Sequence, residues 1–451
     1  MLVVYLTLFC ATLAADELTP WMRSEYQISK TNLKSNISPR DSVPGIVIAS
    51  PSRQDPDYYF HWIRDSALVM DSLLTDAAEG ELNSEILKTF DDFLTLSRQL
   101  QMTPSMTGLG EPRFNVDGSA YTGVWARPQN DGPALRALTL LHALEKGVSP
   151  KRQEMISQIL ETDLDFIQKH SNEPSFDIWE EIRADHFYTR IVQMAALQKA
   201  LQHFDMKWKL SIFDCEAARA ELQNQLDKHW QSQKKYFSIS LNRIEGGQNK
   251  KTDLDTAVVL GILHAGLDQQ NLFSVRDPRL LQTAIQLERV FQNLYEINFT
   301  KVNLKLAPAI GRYDDDVYFG GNPWYLTTLA FAELHYRLAA SLQVDNNFLI
   351  TALNLPFLQQ AWEGQSEKLR EGLNLADSPK VTGELVKALV TRGDQFLLRV
   401  KFHTPEDGAL AEQFSRQNGF AVSARDLTWS YASFLTAVKA RDLIKFEGGQ
   451  Q

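Results

Sequence analysis

The sequence predicts an all-α protein in which helices pack as paired layers. Three observations carry this. Apolar residues recur with a period near 3.6 through about a dozen segments. Strand-like alternation is scarce, so helix-on-helix packing is the layer architecture left. No Ser/Thr/Pro-rich linker, low-complexity tract or short repeat breaks the 451 residues, which points to one domain. An α/α barrel is one way to stack that many helices.

The chain opens on a largely apolar run from Leu2 to Ala14. That run is too short to span a bilayer. With small residues at Ala14 and Ala15 it has the form of a secretory leader, the alternative being an N-terminal segment that packs in the fold. A leader over residues 1–15 is expected, followed by one catalytic domain over 16–451. The chain should enter the secretory pathway and end up secreted or in a vacuole-like lumen, as a monomer without membrane contact. Helical patterns follow at 66–101, 133–147, 151–169, 183–204, 214–235, 254–267, 277–297, 323–343, 349–362, 380–400 and 426–445. In 133–147, Ala134, Ala137, Leu138 and Leu141 fall at i, i+3, i+4 and i+7, and Leu144 and Val148 extend the face. This reads as a one-sided stripe, and Pro133 suits a first helical turn. Cys215 lies in an apolar helical pattern. With Cys10 in the leader, no internal disulfide remains possible. Between the helices run Gly/Pro/aromatic segments at 50–65, 104–132, 172–187, 306–324 and 403–426. Long loops carry function, and at one end of a barrel they would build one pocket.

Composition narrows the partners. Net charge is −10, without a basic block, which disfavours nucleic acid and suits a neutral polymer. Nine tryptophans and thirteen tyrosines exceed what a core needs in such loops, and flat rings pack well on sugar faces. The nine histidines show no metal-ligand spacing, phosphate-binding glycine loops are missing, and there is no nucleophile-elbow motif. No metal and no cofactor are expected. Two sequons, Asn36-Ile37-Ser38 and Asn298-Phe299-Thr300, weakly support the secretory route.

The chemistry centres on Trp179-Glu180-Glu181 and on Glu412 within Gly408-Ala-Leu-Ala-Glu-Gln-Phe414. Two carboxylates in an aromatic setting suit glycosidic hydrolysis, one protonating the leaving oxygen and the other activating water or attacking the sugar. Taken alone, Trp-Glu-Glu also reads as a helix start with solvated acids, on which adjacent side chains point about 100° apart. Likewise Arg64-Asp65 reads equally as a sugar clamp or as a structural ion pair.

Eight segments in order change that balance. They are Gly45-Ile-Val-Ile-Ala-Ser-Pro-Ser52, Pro56-Asp-Tyr-Tyr-Phe-His-Trp-Ile-Arg-Asp-Ser66, Gly110-Glu-Pro-Arg-Phe-Asn-Val-Asp117, and Ala120-Tyr-Thr-Gly-Val-Trp-Ala-Arg-Pro-Gln-Asn-Asp-Gly-Pro133. Asp177-Ile-Trp-Glu-Glu181, Gly311-Arg-Tyr-Asp-Asp-Asp316, Gly321-Asn-Pro-Trp324 and Ser423-Ala-Arg-Asp-Leu-Thr-Trp-Ser-Tyr431 complete the set. In these the chain resembles the fungal and yeast glucoamylases, glycoside hydrolases of family 15, from about residue 45 to 435. The resemblance implies an (α/α)6 barrel, a six-hairpin toroid. It implies an inverting exo-hydrolase that releases β-D-glucose from non-reducing ends of starch- or glycogen-type α-glucans. Glu180 then looks like the general acid, expected protonated, and Glu412 like the general base, expected ionised. Arg64, Asp65, Trp62, Trp125, Glu181, Arg312, Asp316 and Trp324 match substrate-binding positions. Tyr58 and Ser423 match partners of the base and its water. Trehalose, dextran or glucosyl transfer on the same scaffold remain alternatives, as does a glucan-binding protein with lost catalysis.

Some positions depart from the family's pattern. Ala411 and Phe414, beside the base, look like the yeast branch. Gly320 lacks a side-chain amide found in some relatives. Arg183, Asp185 and His186 replace small polar residues after the acid, which bears on chain-length preference. A starch-binding module is not seen, so attack on raw granules is expected to be poor.

Overall fold

The computed structural model describes residues 2–77, 82–203, 208, 210–300, 302 and 304–445, with side chains from Leu18 onward. The helices are α1 (Leu2–Ser35), α2 (Ile63–Asp76), α3 (Ser84–Met102), α4 (Gly132–Glu145), α5 (Pro150–His170), α6 (Phe187–Ala200) and α7 (Ile212–Lys228). They continue with α8 (Ala257–Ala265), α9 (Pro278–Leu294), α10 (Tyr325–Val344), α11 (Leu355–Ala361), α12 (Pro379–His403) and α13 (Thr428–Asp442).

Helices α2, α4, α6, α8, α10 and α13 pack each on the next, and α13 closes back on α2. This is an inner ring of six. The elements between them in sequence form the outer layer, where α3 packs on α5, α5 on α7, α9 on α11, and α12 on α1. The architecture is the expected (α/α)6 barrel. Sequence decides which helix goes where. α8 is apolar all round, with Val258, Val259, Leu260, Ile262 and Leu263 all buried, and only the inner ring hides every face. α9 buries one face through Leu280, Leu281, Ala284, Ile285 and Phe291, as an outer helix must. α4 corrects the expected one-sided stripe. Every residue from Gly132 to Leu141 is buried, because neighbours enclose it. Its Arg136 is matched by a fork-on-carboxylate pair to Asp163 of α5 at 2.6 and 2.8 Å.

Other boundaries moved as well. The pattern at 66–101 splits into α2 and α3, and Asn83 caps the second by accepting from the Ile86 amide at 2.9 Å. Over 349–362 only Leu355–Ala361 is α-helical. The 183–204 pattern opens with a strand. β1 (His61–Trp62) pairs with β2 (Arg113–Phe114); β3 (Ser175–Phe176), β4 (Ile182–His186) and β7 (Ser240–Gly246) form an antiparallel sheet in the order β3–β4–β7; and β5 (Trp230–Gln231) pairs with β6 (Tyr236–Phe237). Helix α1 was not anticipated downstream of residue 17. It packs on α13, and Leu18, Met22 and Leu33 join a core that runs on to Ile444. The leader expected over 1–15 falls on side chains outside the described residues. There only the backbone is described, and it is helical from Leu2. Among the described residues no helix is long and apolar enough to cross a membrane. Cys215 is buried and free.

The sequons sit in tight surroundings. Asn36 is 4% exposed, and its amide donates to the Asp426 carbonyl at 3.0 Å and to Thr428 Oγ1 at 2.8 Å. Asn298 donates to the Phe291 carbonyl and accepts from the Ala309 amide, both at 2.8 Å. A glycan would replace one N–H of the amide, costing Asn36 one of its two donated bonds, and would have to fit in the crowded space beside either nitrogen. The expected result is an intact mass unchanged by endoglycosidase treatment of protein made in a glycosylating host. A loss of hexose-containing mass from either peptide would contradict it.

Candidate active site

The residues that lead into five of the six inner helices meet at one end of the barrel. Arg64 and Asp65 open α2, and Gln129 and Asp131 precede α4. Asp177 to Glu181 lead through β4 into α6, Arg312 to Trp324 lead into α10, and Glu412 and Ser423 lead into α13. They surround a pocket of about 640 Å³ whose wall includes Tyr58, Trp62, Arg64, Asp65, Trp125, Glu180, Glu181, Arg312, Trp324 and Glu412. The N-terminal ends of inner helices thus face a pocket rich in carboxylates, the sign the helix dipole favours.

Glu180 does not start a helix. It stands in a turn with φ of 64°, a left-handed conformation costly for a non-glycine residue. Asp177 holds that turn. Its backbone oxygen accepts from Glu180 N at 3.0 Å, and its Oδ1 accepts from the amides of Glu181 and Ile182 at 2.7 and 2.9 Å. The turn sends the two neighbouring acids to different partners. Glu180 Oε1 accepts from Trp62 Nε1 at 2.8 Å and from Gln129 Nε2 at 2.9 Å. Glu181 accepts from Arg312 Nη2 at 2.8 Å and from the Tyr313 hydroxyl at 2.5 Å. Burial pushes the Glu181 carboxyl upward, against the pull of Arg312. Strand β7 requires glycine beside it. A Cβ on Gly246 would meet the Glu181 carbonyl oxygen at 1.9 Å.

Glu412 is 1% exposed. Its Oε1 accepts from the Tyr58 hydroxyl at 2.9 Å, and its Oε2 accepts from Gln413 Nε2 at 2.9 Å and from the Ser423 hydroxyl. Ser423, with φ of 64°, adopts the same strained conformation as Glu180. Burial pushes the Glu412 carboxyl up to about 7, against the donors Ser423 and Tyr58, the charge of Arg312 and the donor Gln413. Desolvation thus opposes the charged form of Glu412, while its hydrogen-bond donors and Arg312 favour it.

On the buried part of the wall, Arg64 Nη1 donates to Gln129 Oε1 at 2.8 Å and to Asp131 Oδ2 at 3.1 Å. Arg64 Nε and Asp65 Oδ1 form an ion pair with each other at 3.3 Å, and neither buried atom has a further hydrogen-bond partner in the protein. Buried polar atoms are normally satisfied, so this pair is suited to the hydroxyls of a ligand. Burial raises the Asp65 carboxyl to about 6, opposed by Arg64. Trp62 and Trp125 meet edge to face at 6.1 Å, and Trp324 lies 5.6 Å from Trp179. The indole nitrogens of Trp125 and Trp324 are likewise buried and unpartnered.

Asp316 stands elsewhere than expected. It accepts both Nε and Nη2 of Arg312, at 2.8 and 2.5 Å, and is not on the pocket wall. Ser423 donates to Glu412 and is likewise not on the pocket wall. Arg183, Asp185 and His186 lie on β4 and none lines the pocket. Sequence reasoning passed over Gln129, Tyr313, Tyr318 and Gln413. Gln129 and Tyr313 lay inside quoted motifs and Gln413 beside the base, but glutamine and tyrosine carry no charge signature. Among the described residues no cluster suited to a metal ion occurs.

Comparison with known proteins gives the same answer. The family model described as glycosyl hydrolases family 15 matches residues 27–439. A glucoamylase of Blastobotrys adeninivorans is 34% identical over 96% of this chain and 73% of its own length. The solved family 15 glucoamylase of Hypocrea jecorina superposes with a TM-score of 0.85 at 32% identity, covering 94% of this chain and 72% of that one. The glucoamylase of Saccharomycopsis fibuligera gives 0.83 at 29% identity, covering 94% and 96%. A match across nearly the whole barrel, from α1 to α13, leaves one assignment: the chain belongs to glycosyl hydrolases family 15.

Proposed function

We propose that this glucan 1,4-α-glucosidase cuts its α-glucan substrate by inversion, with Glu180 as general acid and Glu412 as general base. The observation that carries this reading is the contrast between two carboxylates in one pocket. Glu180 takes two donors on a single oxygen, whereas Glu412 takes donors on both.

The hydrogen bonds support one placement of the protons. Trp62 and Gln129 both donate to Glu180 Oε1, so an acid proton belongs on Oε2. From Oε2 it passes to the glycosidic oxygen as the C1–O bond breaks. On Glu412, Oε2 is occupied by Ser423 and Gln413, while Oε1 has one donor, Tyr58. Oε1 therefore keeps a lone pair for water. It takes the water's proton while the water oxygen attacks C1 from the face opposite the leaving group. The product is β-glucose, with Glu180 ionised and Glu412 protonated until solvent resets both.

Arg64 and Asp65 hold the terminal sugar at the closed end, and Trp62, Trp125 and Trp324 wall the site. Arg312, oriented by Asp316, and Glu181 bind on the leaving side. A charged clamp that reads adjacent hydroxyls behind the reacting bond makes attack exo. The test is hydrolysis of maltoheptaose followed by NMR. β-Glucose should be the first and only early product. Early α-glucose would refute inversion, and early maltose would refute the closed clamp.

The apolar run from Leu2 to Ala14 supports entry into the secretory pathway. N-terminal sequencing of protein recovered from culture medium, reading a start near residue 16, tests that.

A further inference from the structure

The contacts of Tyr58 fix the direction of a second hydrogen bond. A phenol carries one proton. The Tyr58 hydroxyl lies 2.9 Å from Glu412 Oε1 and 2.6 Å from the Tyr318 hydroxyl. An ionised carboxylate only accepts, so the Tyr58 proton points to Glu412. The 2.6 Å contact is then donated by Tyr318. We propose that Tyr318 is a positioning residue for the base, the first member of a relay Tyr318 to Tyr58 to Glu412 that holds the carboxylate ionised and aims Oε1 at the water. This rests on the reading of Glu412 as base.

Tyr318 is itself held in place. It opens a 3₁₀ turn, Tyr318–Gly320, inside which Phe319 has φ of 48°. The turn is followed by Gly321 at φ 64°, where a Cβ would meet the Asp316 carbonyl oxygen at 1.9 Å. The Tyr318 amide donates to Asp316 Oδ1 at 2.9 Å, and its ring centre lies 5.0 Å from the Arg312 guanidinium. Asp316 orients Arg312, the leaving-side residue on the pocket wall, so the relay begins beside the residue that binds the leaving sugar. Burial, together with the Glu412 charge, pushes both phenols above their ordinary value, and both keep their protons. The titratable and charged groups that face Glu412 are Tyr58, Tyr318 and Arg312, with Glu180 facing Tyr318 across the pocket.

Tyr318→Phe keeps the ring over Arg312 and removes only the hydroxyl. Without that donor Tyr58 is a weaker donor, the carboxylate loses stabilisation, and the base protonates at higher pH. The acid limb of the kcat/KM profile for maltose should therefore move up by ~0.3–1 pH unit, the size of one neutral hydrogen bond. kcat at a pH on that limb should fall ~2–10-fold with KM nearly unchanged. In a Tyr58→Phe background the relay is already cut, and Tyr318→Phe should add nothing. An unmoved acid limb, or effects that add across the two variants, overturns the relay. A shift in Tyr58→Phe without one in Tyr318→Phe sinks the relay and leaves the base in place. No shift in either variant sinks both.

Discussion

Replacing Glu180 with glutamine is expected to lower kcat on maltose by ~10²–10⁴-fold, the range general acid catalysis supplies. The amide has nearly the shape of the acid. Its carbonyl oxygen can still accept from Trp62 Nε1 and Gln129 Nε2, so the turn at residues 177–181 and the pocket wall stay as they are. What is lost is the proton on the other atom. Binding should survive, and KM should change far less than kcat. A substrate whose leaving group needs no protonation separates chemistry from damage. Hydrolysis of α-glucosyl fluoride by Glu180→Gln should stay much closer to that of the parent enzyme. Near-normal turnover of maltose would remove Glu180 from the acid role.

Glu412→Ala should lower kcat by a similar ~10²–10⁴-fold, but on maltose and α-glucosyl fluoride alike, because neither reacts without an activated water. This variant also leaves three donors, on Tyr58, Ser423 and Gln413, facing a buried gap. Unpaired buried donors cost about 1–3 kcal/mol each, partly offset here by removal of a desolvated carboxylate. Glu412→Gln, which keeps the shape and loses the basic oxygen, is therefore the control for folding. A Glu412 variant that keeps its rate on both substrates, with an unchanged melting temperature, would require another base. The contrast between the two variants on the fluoride tells acid from base without a structure of a complex.

Much of the fold was legible because helix formation is local. A 3.6-residue apolar period appears wherever a helix has a buried face, and inner helices such as α8 announce themselves by having no polar face. Proline at the first turn of α4, α5, α9 and α12 marks their starts in the same local way. The carboxylates, the Arg64-Asp65 pair and the pocket tryptophans were also legible, because charged and aromatic residues in long loops stand out against a helical background. Residues 16–35 were harder. Their helix has a weakly one-sided pattern and lies directly after the apolar leader-like run, which claimed the attention of that region.

Other features depend on contacts that no stretch of sequence contains. Strand β4 exists because Ile182 to His186 pair with Ser240 to Gly246, some sixty residues on. That pairing ends the Glu180 turn and keeps it from becoming a helix start. The direction of each side chain was likewise decided by packing. Adjacent Glu180 and Glu181 part because Trp62 and Gln129 approach one and Arg312 and Tyr313 the other. Asp316 was legible as an acid near Arg312, yet only the fold puts it behind the guanidinium and away from the pocket. The upward push on the Glu412 carboxyl belongs to the same class, since it follows from desolvation by residues far apart in the chain. By itself, then, the sequence determined most of the helices and the chemical inventory of the site, because period and residue type are local properties, while the barrel was implied by resemblance to family 15. The tertiary structure decided which oxygen accepts from which donor, because hydrogen-bond direction and burial exist only once distant segments meet.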